Sequence, residues 1–576
     1  MGESNLNSEK FKNILSYSQS PFEEIALSIS GGGFRAAAYG LGTMMYLNRL
    51  NFKNQTLLKR VKFMSSASGG TIPVLFYSLS LYRVESFEAF KTRILTFMNG
   101  EQILNKAIQI LGNDDIWVNN PKTRNLINAF SKVYSEELEN ENWNIIWDIS
   151  ATSHLKEVCI NSTEFYSGLS FRFQNKEKGT NNLIGNRSVT LKENYSIKNL
   201  KLGDLLAASS CFPIGFEPLI FPNDFAENEV KAKILLESVT FTEADGDKVK
   251  GTTFGLMDGG VVDNQGLDSM MKAFDRRNTK NILSDGKKPF DLMIVADVSN
   301  RLINSYDTKT SEFKNSDSLS LYHRIGKSLF WIGLVGIVFS GISIFFNLSK
   351  TIGLLLILPS VLVIIVGMKY RSIITRLSTW FFEVASKDPN LPLDLILRYV
   401  QYFTRLKLST LSGLINSRLS STVIMTSGVF LKRIRSLIFD KFYEDKDYDF
   451  RRVSSFVYSL SETYYKSPEK IREMTKTKEV EKYHPSPEMM KVAEHARTFS
   501  TTLWFTNDDN EKEVLKSILA TAQFTLCHSL LNYFVELEKE VEVFTKLESK
   551  VELLKLKEKL LSDWEELNKN PLFLTS

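Results

Sequence analysis

Cysteine and histidine are scarce in this chain of 576 residues, and their scarcity restricts its chemistry. The three cysteines, Cys159, Cys211 and Cys527, have neither the spacing of a metal site nor an even number for pairing. This usage is typical of a reducing compartment. We therefore expect no metal, no cofactor and no disulfide framework.

Other signatures are missing as well. The N-terminal segment 1–20 is polar and has no apolar signal-peptide core, which predicts a protein that remains inside the cell. The glycines near residue 30 lack the Gly-x-Gly-x-x-Gly spacing of a dinucleotide site, and no Gly-Lys-Ser/Thr follows them. The net charge of +5 suits an anionic membrane leaflet and does not suggest a nucleic-acid partner.

A glycine-rich turn follows the first short apolar strand, in the sequence Ser30–Ala36. Three of its residues offer backbone N–H groups with no side-chain bulk: Gly31, Gly32 and Gly33. Such groups can form an oxyanion hole for acyl transfer. On its own, the turn is equally consistent with a phosphate cradle.

A second small-residue turn contains Ser68, directly after the apolar run Val61–Met64 and before a predicted helix. A serine on such a strained turn needs small neighbours two residues away on both sides, and Ser66 and Gly70 meet this demand, with Gly69 between. The usual elbow is Gly-x-Ser-x-Gly, so Ser66 replaces its first glycine. An ordinary small-residue turn is the alternative.

The base that a nucleophilic serine needs is predicted far downstream, at Asp258, which precedes Gly259 and Gly260 at a strand end. Asp-Gly-Gly is also common in ordinary turns. None of the histidines lies in a comparable glycine-rich context: His154, His323, His484, His495 and His528. An aspartate acting directly as general base is then the simplest complete mechanism. Asp263 and Asp297 are expected to be structural.

Four motifs, in this order along the chain, resemble those of the patatin-like phospholipases. The amino-acid sequence of the first is similar to that of the related cytosolic phospholipase A2 enzymes. They are Ser30–Ala36, Ser66–Gly70, Ala207–Pro213 followed by Phe216–Pro218, and Met257–Gly260. The resemblance covers about residues 20 to 300, and more loosely Ser421–Ser427 and Thr501–Phe505.

The resemblance implies an α/β fold, a three-layer α/β/α domain with a mostly parallel central sheet. It also implies a membrane phospholipid substrate and a Ser-Asp dyad, in which Asp258 takes the proton of Ser68 while the amides of Gly32 and Gly33 hold the oxyanion. Arg35 would offer a forked cation to the substrate phosphate. The alternatives are a catalytically silent, lipid-binding adaptor and an acyltransferase that uses the same dyad.

Two long uncharged runs lie at about 329–348 and 352–368, each near the length that crosses a bilayer. The link between them is short enough for an antiparallel helical hairpin, and Pro359 would kink the second helix. Basic residues flank both outer ends, which predicts a multi-pass membrane protein with a cytoplasmic catalytic domain. A buried helical pair within a soluble protein is the alternative.

These features divide the chain into a catalytic domain at 21–310, a hairpin insertion at 311–415, a continuation of the catalytic domain at 416–530 and an amphipathic tail at 531–576. Leu155–Ile160 and Gly168–Phe173 are predicted as strands, and 184–200 as loop. Trp380–Leu414 is predicted as either a membrane-surface helix or a packed soluble helix. The tail is predicted to be one long helix docked on the body, and a homo-oligomer through a coiled coil is the alternative.

Overall fold

The computed structural model of the chain describes most of the sequence. The described residues are 21–99, 102–175, 184–192, 195–213, 215–243, 246–278, 289–299, 319–346, 350–385, 419, 421–422, 424–467, 470, 483–500, 505, 509–539, 544, 547 and 549–575. The predictions for the N-terminal segment and for most of Trp380–Leu414 lie outside them.

The strands are short, and most of them join one large sheet. They are β1 Ile25–Ile29, β2 Asn51–Phe52, β3 Gln55–Thr56, β4 Val61–Ala67, β5 Glu157–Glu164, β6 Ser170–Gln174, β7 Ile184–Gly185, β8 Val189–Leu191, β9 Leu219–Phe221, β10 Val239–Thr242, β11 Lys248–Lys250, β12 Phe254–Asp258, β13 Leu292–Asp297 and β14 Arg452–Phe456.

The helices vary from single turns to long rods. They are α1 Gly33–Arg49, α2 Thr71–Tyr82, α3 Phe87–Met98, α4 Gln102–Gly112, α5 Asp114–Trp117, α6 Leu126–Glu137, α7 Asn144–Thr152, α8 Tyr195–Lys198, α9 Leu202–Ser210, α10 Glu229–Ser238, α11 Leu267–Asn278, α12 Leu319–Phe345, α13 Lys350–Ala385, α14 Leu431–Tyr443, α15 Glu462–Tyr465, α16 Pro487–Thr498, α17 Asp509–Lys539 and α18 Lys550–Lys569.

The central strands are parallel, in the order β14, β13, β1, β4 and β5. This confirms the predicted mostly parallel central sheet. Beyond β5 the sheet continues through β6, β7, β8, β10 and β11 in antiparallel pairs. The strand predicted at Gly168–Phe173 corresponds to β6, but the sequence did not predict the antiparallel extension that β6 begins. The segment 184–200, predicted as loop, supplies two of these short strands and the turn α8.

Both faces of the central sheet are covered by helices. Ile25 and Leu27 of β1 belong to the larger apolar cluster, which also contains residues of α1 and α17, whereas Ala26 belongs to a smaller cluster with residues of α11 and α14. Successive strand residues point to opposite faces, so this alternation creates the three layers that the resemblance implied.

The end of β4 positions the site. This strand pairs with β5 as far as Ala67, opposite Asn161. Because β6 occupies the other edge of β5, the antiparallel strand β12 takes over the edge that β4 leaves, and its last residue, Asp258, pairs with Ser162. Two strands that run in opposite directions therefore end against each other, although about 190 residues separate them in the sequence.

The chain divides into two compact units, Met1–Ile303 with Leu431–Ser576, and Asn304–Phe430. The predicted insertion at 311–415 falls within the second unit. Residues 416–430, which were predicted to continue the catalytic domain, belong to this unit as well.

The second unit contains the helical hairpin α12 and α13. The backbones of the two helices approach each other closely. A Cβ on Gly333 would lie 2.7 Å from the Ser360 carbonyl oxygen, and a Cβ on Gly367 would lie 2.7 Å from the Gly326 carbonyl oxygen. Small residues at such a contact are typical of membrane helices. Large apolar side chains such as Val335 and Leu355 are 65% and 70% exposed.

Three helices within the described ranges are long and apolar enough to cross a membrane: Arg324–Phe345, Lys350–Lys369 and Glu511–Lys539. The first two form the hairpin, with Pro359 inside the second. The third lies in the first unit, where it packs so closely on α1 that a side chain at Gly42 would meet the Leu519 carbonyl oxygen at 2.6 Å. Burial within the protein accounts for the apolar character of this third helix.

The C-terminal tail differs from its prediction. One long helix was expected from Phe534 to Leu567, but α17 ends at Lys539 and the separate helix α18 begins at Lys550. Helix α18 packs on the body through Leu553, Leu556 and Leu560, which are buried in the larger cluster. The stripe predicted from the sequence used Val551 and Leu554 instead, and these are 63% and 39% exposed. The prediction was therefore wrong about the buried face of this second helix as well as about the break between the helices.

Candidate active site

Ser68 lies on a strained turn between β4 and α2. Its φ of 51° falls in the left-handed region, which residues other than glycine rarely adopt. The turn Ser68–Gly70 is a short 3₁₀ segment that leads directly into α2, and the Ser68 side chain is only 8% exposed. The backbone amide of Ser68 donates a hydrogen bond to the Ser209 hydroxyl at 3.0 Å. Strain of this kind is typical of a nucleophile elbow.

Ser68 and Asp258 are in direct contact. The Ser68 hydroxyl donates a hydrogen bond to Asp258 Oδ2 at 2.6 Å, while the amide of Gly260 donates to Asp258 Oδ1 at 2.6 Å. The Asp-Gly-Gly sequence thus fixes its own carboxylate, because the turn Gly259–Val261 aims one of its amides back at the aspartate. The structure brings together the nucleophile and the base that the sequence predicted.

The environment of Asp258 suits a general base. The carboxylate is buried, and this burial raises its pKa from 3.8 to about 6, although the hydrogen bonds from Ser68 and Gly260 and the charge of Arg435 act in the opposite direction. Four histidine side chains are described, and their hydrogen-bond partners lie elsewhere: His154 with Tyr77, His484 with Tyr465, His495 with Ser517, and His528 with the Tyr483 carbonyl.

The raised pKa of Asp258 predicts how activity depends on pH. Because a base must be ionised before it accepts a proton, kcat/KM should rise about tenfold per pH unit below pH 6 and reach a plateau about one unit above it. An aspartate at its ordinary pKa of 3.8 would already be ionised by about pH 5. The measurement is kcat/KM for a soluble ester between pH 4.5 and 9, and a flat profile down to pH 5 would contradict the assignment.

The glycine turn lies beside the dyad. A side chain on Gly31 would come within 2.9 Å of Ser68 Cβ, so this residue is at the site. Its amide, however, donates a hydrogen bond to the Asn264 carbonyl at 2.8 Å and is not available to an oxyanion while that bond persists. The amides of Gly32 and Gly33 donate to no group in the described part of the chain. Their φ angles of 147° and 61° favour glycine.

The two glycine-rich turns pack directly against each other. A Cβ on Gly69 would lie 2.0 Å from the Gly33 carbonyl oxygen, and one on Gly70 would lie 2.4 Å from the Ser30 carbonyl oxygen. Both neighbours are backbone atoms, so the rotation of a side chain could not relieve these clashes. Gly69 and Gly70 are therefore required by the contact between the turns, in addition to the geometry of the elbow itself.

Ser66 has a specific environment despite its departure from the usual elbow. Its hydroxyl contacts the Thr71 hydroxyl at 3.1 Å, which in turn contacts the Ser209 hydroxyl at 2.9 Å. Ser209 donates to the Asn161 carbonyl at 2.7 Å and accepts from the Ser68 amide. The chain of hydroxyls connects both ends of the elbow to β5, and a serine at position 66 completes it.

Arg35 is placed differently from its predicted role. The guanidinium is 9% exposed and donates to three backbone carbonyls: Phe499 at 2.6 Å, Arg497 at 3.3 Å and Val298 at 3.0 Å. A substrate phosphate would have to replace these bonds. They favour a structural role in which Arg35 ties the start of α1 to the end of α16 and to the residue that follows β13, and its role with phosphate stays a prediction.

Sequence reasoning missed three residues at this site. Ser209 positions the elbow, and it lies within the Ala207–Pro213 motif, so the signal was present. Asn264 contacts both glycine turns, since its side-chain oxygen lies 2.7 Å from a Cβ on Gly31 and 2.5 Å from one on Gly260. Arg435 donates from Nε to the Gly260 carbonyl at 2.5 Å, and no local pattern identified it.

The two aspartates expected to be structural do bond to neighbouring protein groups. Asp263 Oδ2 accepts from the amide of Asp268 at the start of α11. Asp297 Oδ2 accepts from Gln265 at 2.6 Å, and Oδ1 accepts from the amide and the hydroxyl of Ser299. Both support the loops around the dyad.

The central sheet, the elbow and the adjoining glycine turn define a class, the α/β proteins with a patatin-like domain. Residues 27–271 match the family model of the patatin-like phospholipases, and this part of the chain is a patatin-like phospholipase domain. The family assigns it, at this coarse level, to the lipid acyl hydrolases.

Other comparisons are more distant. The solved structure of human GIVD cytosolic phospholipase A2 is similar with a TM-score of 0.29 and 11% sequence identity, over 50% of this chain and 45% of that chain. The chain therefore spans less than half of the length of that protein. No curated protein matches the sequence.

Proposed function

We propose that this protein is a membrane-anchored phospholipase of the A or lysophospholipase type, which cleaves ester-linked fatty acids with a Ser68-Asp258 dyad. The observation that carries the proposal is the 2.6 Å hydrogen bond from the Ser68 hydroxyl to Asp258 Oδ2, on a strained turn beside the amides of Gly32 and Gly33, which donate to no group among the described residues. Nucleophile, base and oxyanion donors are the three parts that acyl transfer by serine requires.

The reaction proceeds through an acyl-enzyme. Asp258 accepts the hydroxyl proton as Ser68 Oγ attacks the ester carbonyl carbon, and the carbonyl oxygen becomes negatively charged. Collapse of this intermediate breaks the ester bond, and the departing alkoxide takes the proton from Asp258. Water then attacks the acyl-serine as Asp258 accepts its proton. Collapse breaks the bond between the acyl carbon and Ser68 Oγ, Asp258 returns the proton to Oγ, and the fatty acid leaves.

The amides of Gly32 and Gly33 are the proposed donors to the negatively charged oxygen. Each lies at the start of α1, where the helix dipole also favours negative charge. One donor of this kind is worth about 3 to 4 kcal/mol of barrier, or roughly 10² to 10³ in rate. The free amides therefore contribute on the same scale as the general base.

Anchorage by the hairpin would hold the site near its lipid substrate. The uncharged runs within helices α12 and α13 expose large apolar side chains, as expected for contact with acyl chains. The outer flanks carry Arg324 and Lys327 on one side and Lys369, Arg371 and Arg376 on the other. By the positive-inside rule, both ends of the hairpin, and with them the catalytic domain, would be cytoplasmic.

Acyl release from vesicles tests this function. The full chain, reconstituted into vesicles of phosphatidylcholine and phosphatidylglycerol that also contain lysophosphatidylcholine, should release fatty acid, and a Ser68→Ala preparation gives the background. An A-type enzyme should form new lysophospholipid from the diacyl lipids, whereas a lysophospholipase should consume the lysophosphatidylcholine. Acyl transfer to an added alcohol in place of water would favour the acyltransferase alternative. Binding to vesicles with no release above the Ser68→Ala background would favour the adaptor and overturn the proposal.

A further inference from the structure

A second arginine, Arg435, is connected to the dyad through hydrogen bonds more directly than Arg35 is. Arg435 belongs to α14, and its Nε donates to the carbonyl of Gly260 at 2.5 Å. The amide of the same glycine donates to Asp258 Oδ1. Only one residue of backbone and two hydrogen bonds therefore separate the guanidinium from the general base.

Helix α14 is held in a defined position by its other half. Phe442 is fully buried in the smaller apolar cluster, with Ile438 and Phe439 packed against it, and the Tyr443 hydroxyl donates to the Gln265 side chain at 3.0 Å. These residues recur at three- and four-residue intervals from Arg435, which places them on one helix face. The packing of that face directs Arg435 toward the dyad.

The donors of Arg435 are only partly used. Its Nε is bonded, but its two terminal amino groups have no hydrogen bond, and the side chain forms no ion pair, within the described residues. The side chain is partly exposed. Arg35 is the opposite case, because both of its amino groups already donate to backbone carbonyls and its Nε is buried without a partner among the described residues.

The carboxylates near Arg435 leave its terminal donors unoccupied among the described residues. Burial lowers the pKa of Arg435, and the carboxylates of Asp258, Asp297 and Asp263 oppose this effect without contacting the guanidinium. A guanidinium keeps its charge under all ordinary conditions and presents donors in a fork that matches phosphate oxygens. The free end of Arg435 is such a fork.

We propose that Arg435, rather than Arg35, binds the phosphate of the lipid substrate and makes the site selective for phospholipids over neutral esters. The inference rests on the proposed phospholipase function. In this arrangement the turn Asp258–Gly260 serves both the reaction and substrate binding. The Asp258 carboxylate takes the serine proton, and the Gly260 carbonyl holds the arginine that binds phosphate.

A pair of substrates that differ only in phosphate tests this role. We compare a lysophosphatidic acid with a monoacylglycerol of the same acyl chain, and the variants Arg435→Gln, Arg435→Lys and Arg433→Gln. Arg433 lies on the same helix, and within the described ranges its side chain bonds only to Ser436 of that helix, so it controls for the loss of one positive charge. Arg435→Gln should lower kcat/KM for the phospholipid by about 10 to 100-fold, mainly through KM, as expected for a charge-assisted hydrogen bond.

The neutral ester separates binding from other effects of the arginine. Because Arg435 lowers the pKa of Asp258, its removal should shift the rising limb of the pH profile upward for both esters. Rates are therefore compared on the alkaline plateau, where the monoacylglycerol should lose less than threefold. Arg435→Lys should recover part of the phospholipid activity, and Arg433→Gln should match the unchanged protein.

Three outcomes would overturn the inference. An equal loss on both esters would make Arg435 a support for the dyad without a phosphate role. The second outcome has two parts: inorganic phosphate changes monoacylglycerol turnover only when Arg435 is present, and Arg435→Gln keeps its selectivity for the phospholipid. Arg435 would then bind the free phosphate ion and not the lipid. A loss of selectivity in Arg35→Gln alone would return the role to Arg35. Failure of the unchanged protein to cleave either ester would instead contradict the proposed function.

Discussion

Replacement of Asp258 by asparagine should lower kcat for ester hydrolysis by about 10³-fold, within the range that positioned general bases contribute. Asparagine retains the shape of the side chain and an oxygen that can accept from Ser68 or Gly260, but it cannot take the serine proton. The measurement is kcat for a soluble ester on the alkaline plateau, together with the thermal unfolding midpoint.

The folded state should survive this substitution. Since burial raises the pKa of Asp258 to about 6, the proton is bound more tightly in the folded than in the unfolded protein. The resulting stability is present below the unfolded pKa of 3.8 and is lost as the pH rises through 6, so the ionised carboxylate is unfavourable at neutral pH. A neutral asparagine removes this penalty, and the unfolding midpoint should not fall by more than a few degrees.

Asp263 provides a matched control. It is also a buried aspartate whose pKa burial raises to about 6, and it lies only five residues further along the chain. Its carboxylate bonds to the start of α11 and has no contact with Ser68. Asp263→Asn should therefore retain activity within about threefold. An Asp258→Asn protein as active as this control would exclude the proposed base.

Replacement of Gly69 by alanine should abolish activity for a different reason. The added Cβ would lie 2.0 Å from the Gly33 carbonyl oxygen, and neither turn can move without separating the nucleophile from the oxyanion donors. Overpacking of this kind costs about 1 to 3 kcal/mol or more. Any folded fraction would have a displaced Gly33 amide and lose roughly another 10² to 10³ in rate.

The control for this steric argument is Gly112→Ala. Gly112 ends α4, and a Cβ there would meet no atom within 4 Å. Its replacement should leave activity and the unfolding midpoint unchanged or slightly raise the latter, since alanine has the higher helix propensity. Activity of Gly69→Ala equal to that of Gly112→Ala would show that the two turns do not pack as described.

The sequence predicted the parts of the site that depend on local chemistry. Ser68 was identified because a sharp turn needs small neighbours, and Asp258 because its glycines expose the carboxylate at a strand end. Neither argument required knowledge of distant contacts. The pairing of β4 and β12 along one edge of β5 explains why these two local signals meet in space.

The roles of the other residues depend on contacts between distant segments. The carbonyls that engage Arg35 lie 263 to 464 residues further along the chain, and the Arg435 bond to Gly260 spans 175 residues. No spacing rule indicates which of two arginines keeps its donors free. The same limit applies to Gly31, whose amide appeared available in the sequence but is bonded to the carbonyl of Asn264.

The central claim, that Ser68 is the nucleophile, is tested most directly by covalent labelling with a fluorophosphonate followed by peptide mapping. The control is Ser78→Ala, whose hydroxyl is buried in α2 and bonds to the Val74 carbonyl within that helix. We predict a single adduct on Ser68 in the unchanged protein and in Ser78→Ala, and none in Ser68→Ala. An adduct on another serine, or fatty-acid release that persists in Ser68→Ala, would contradict the account.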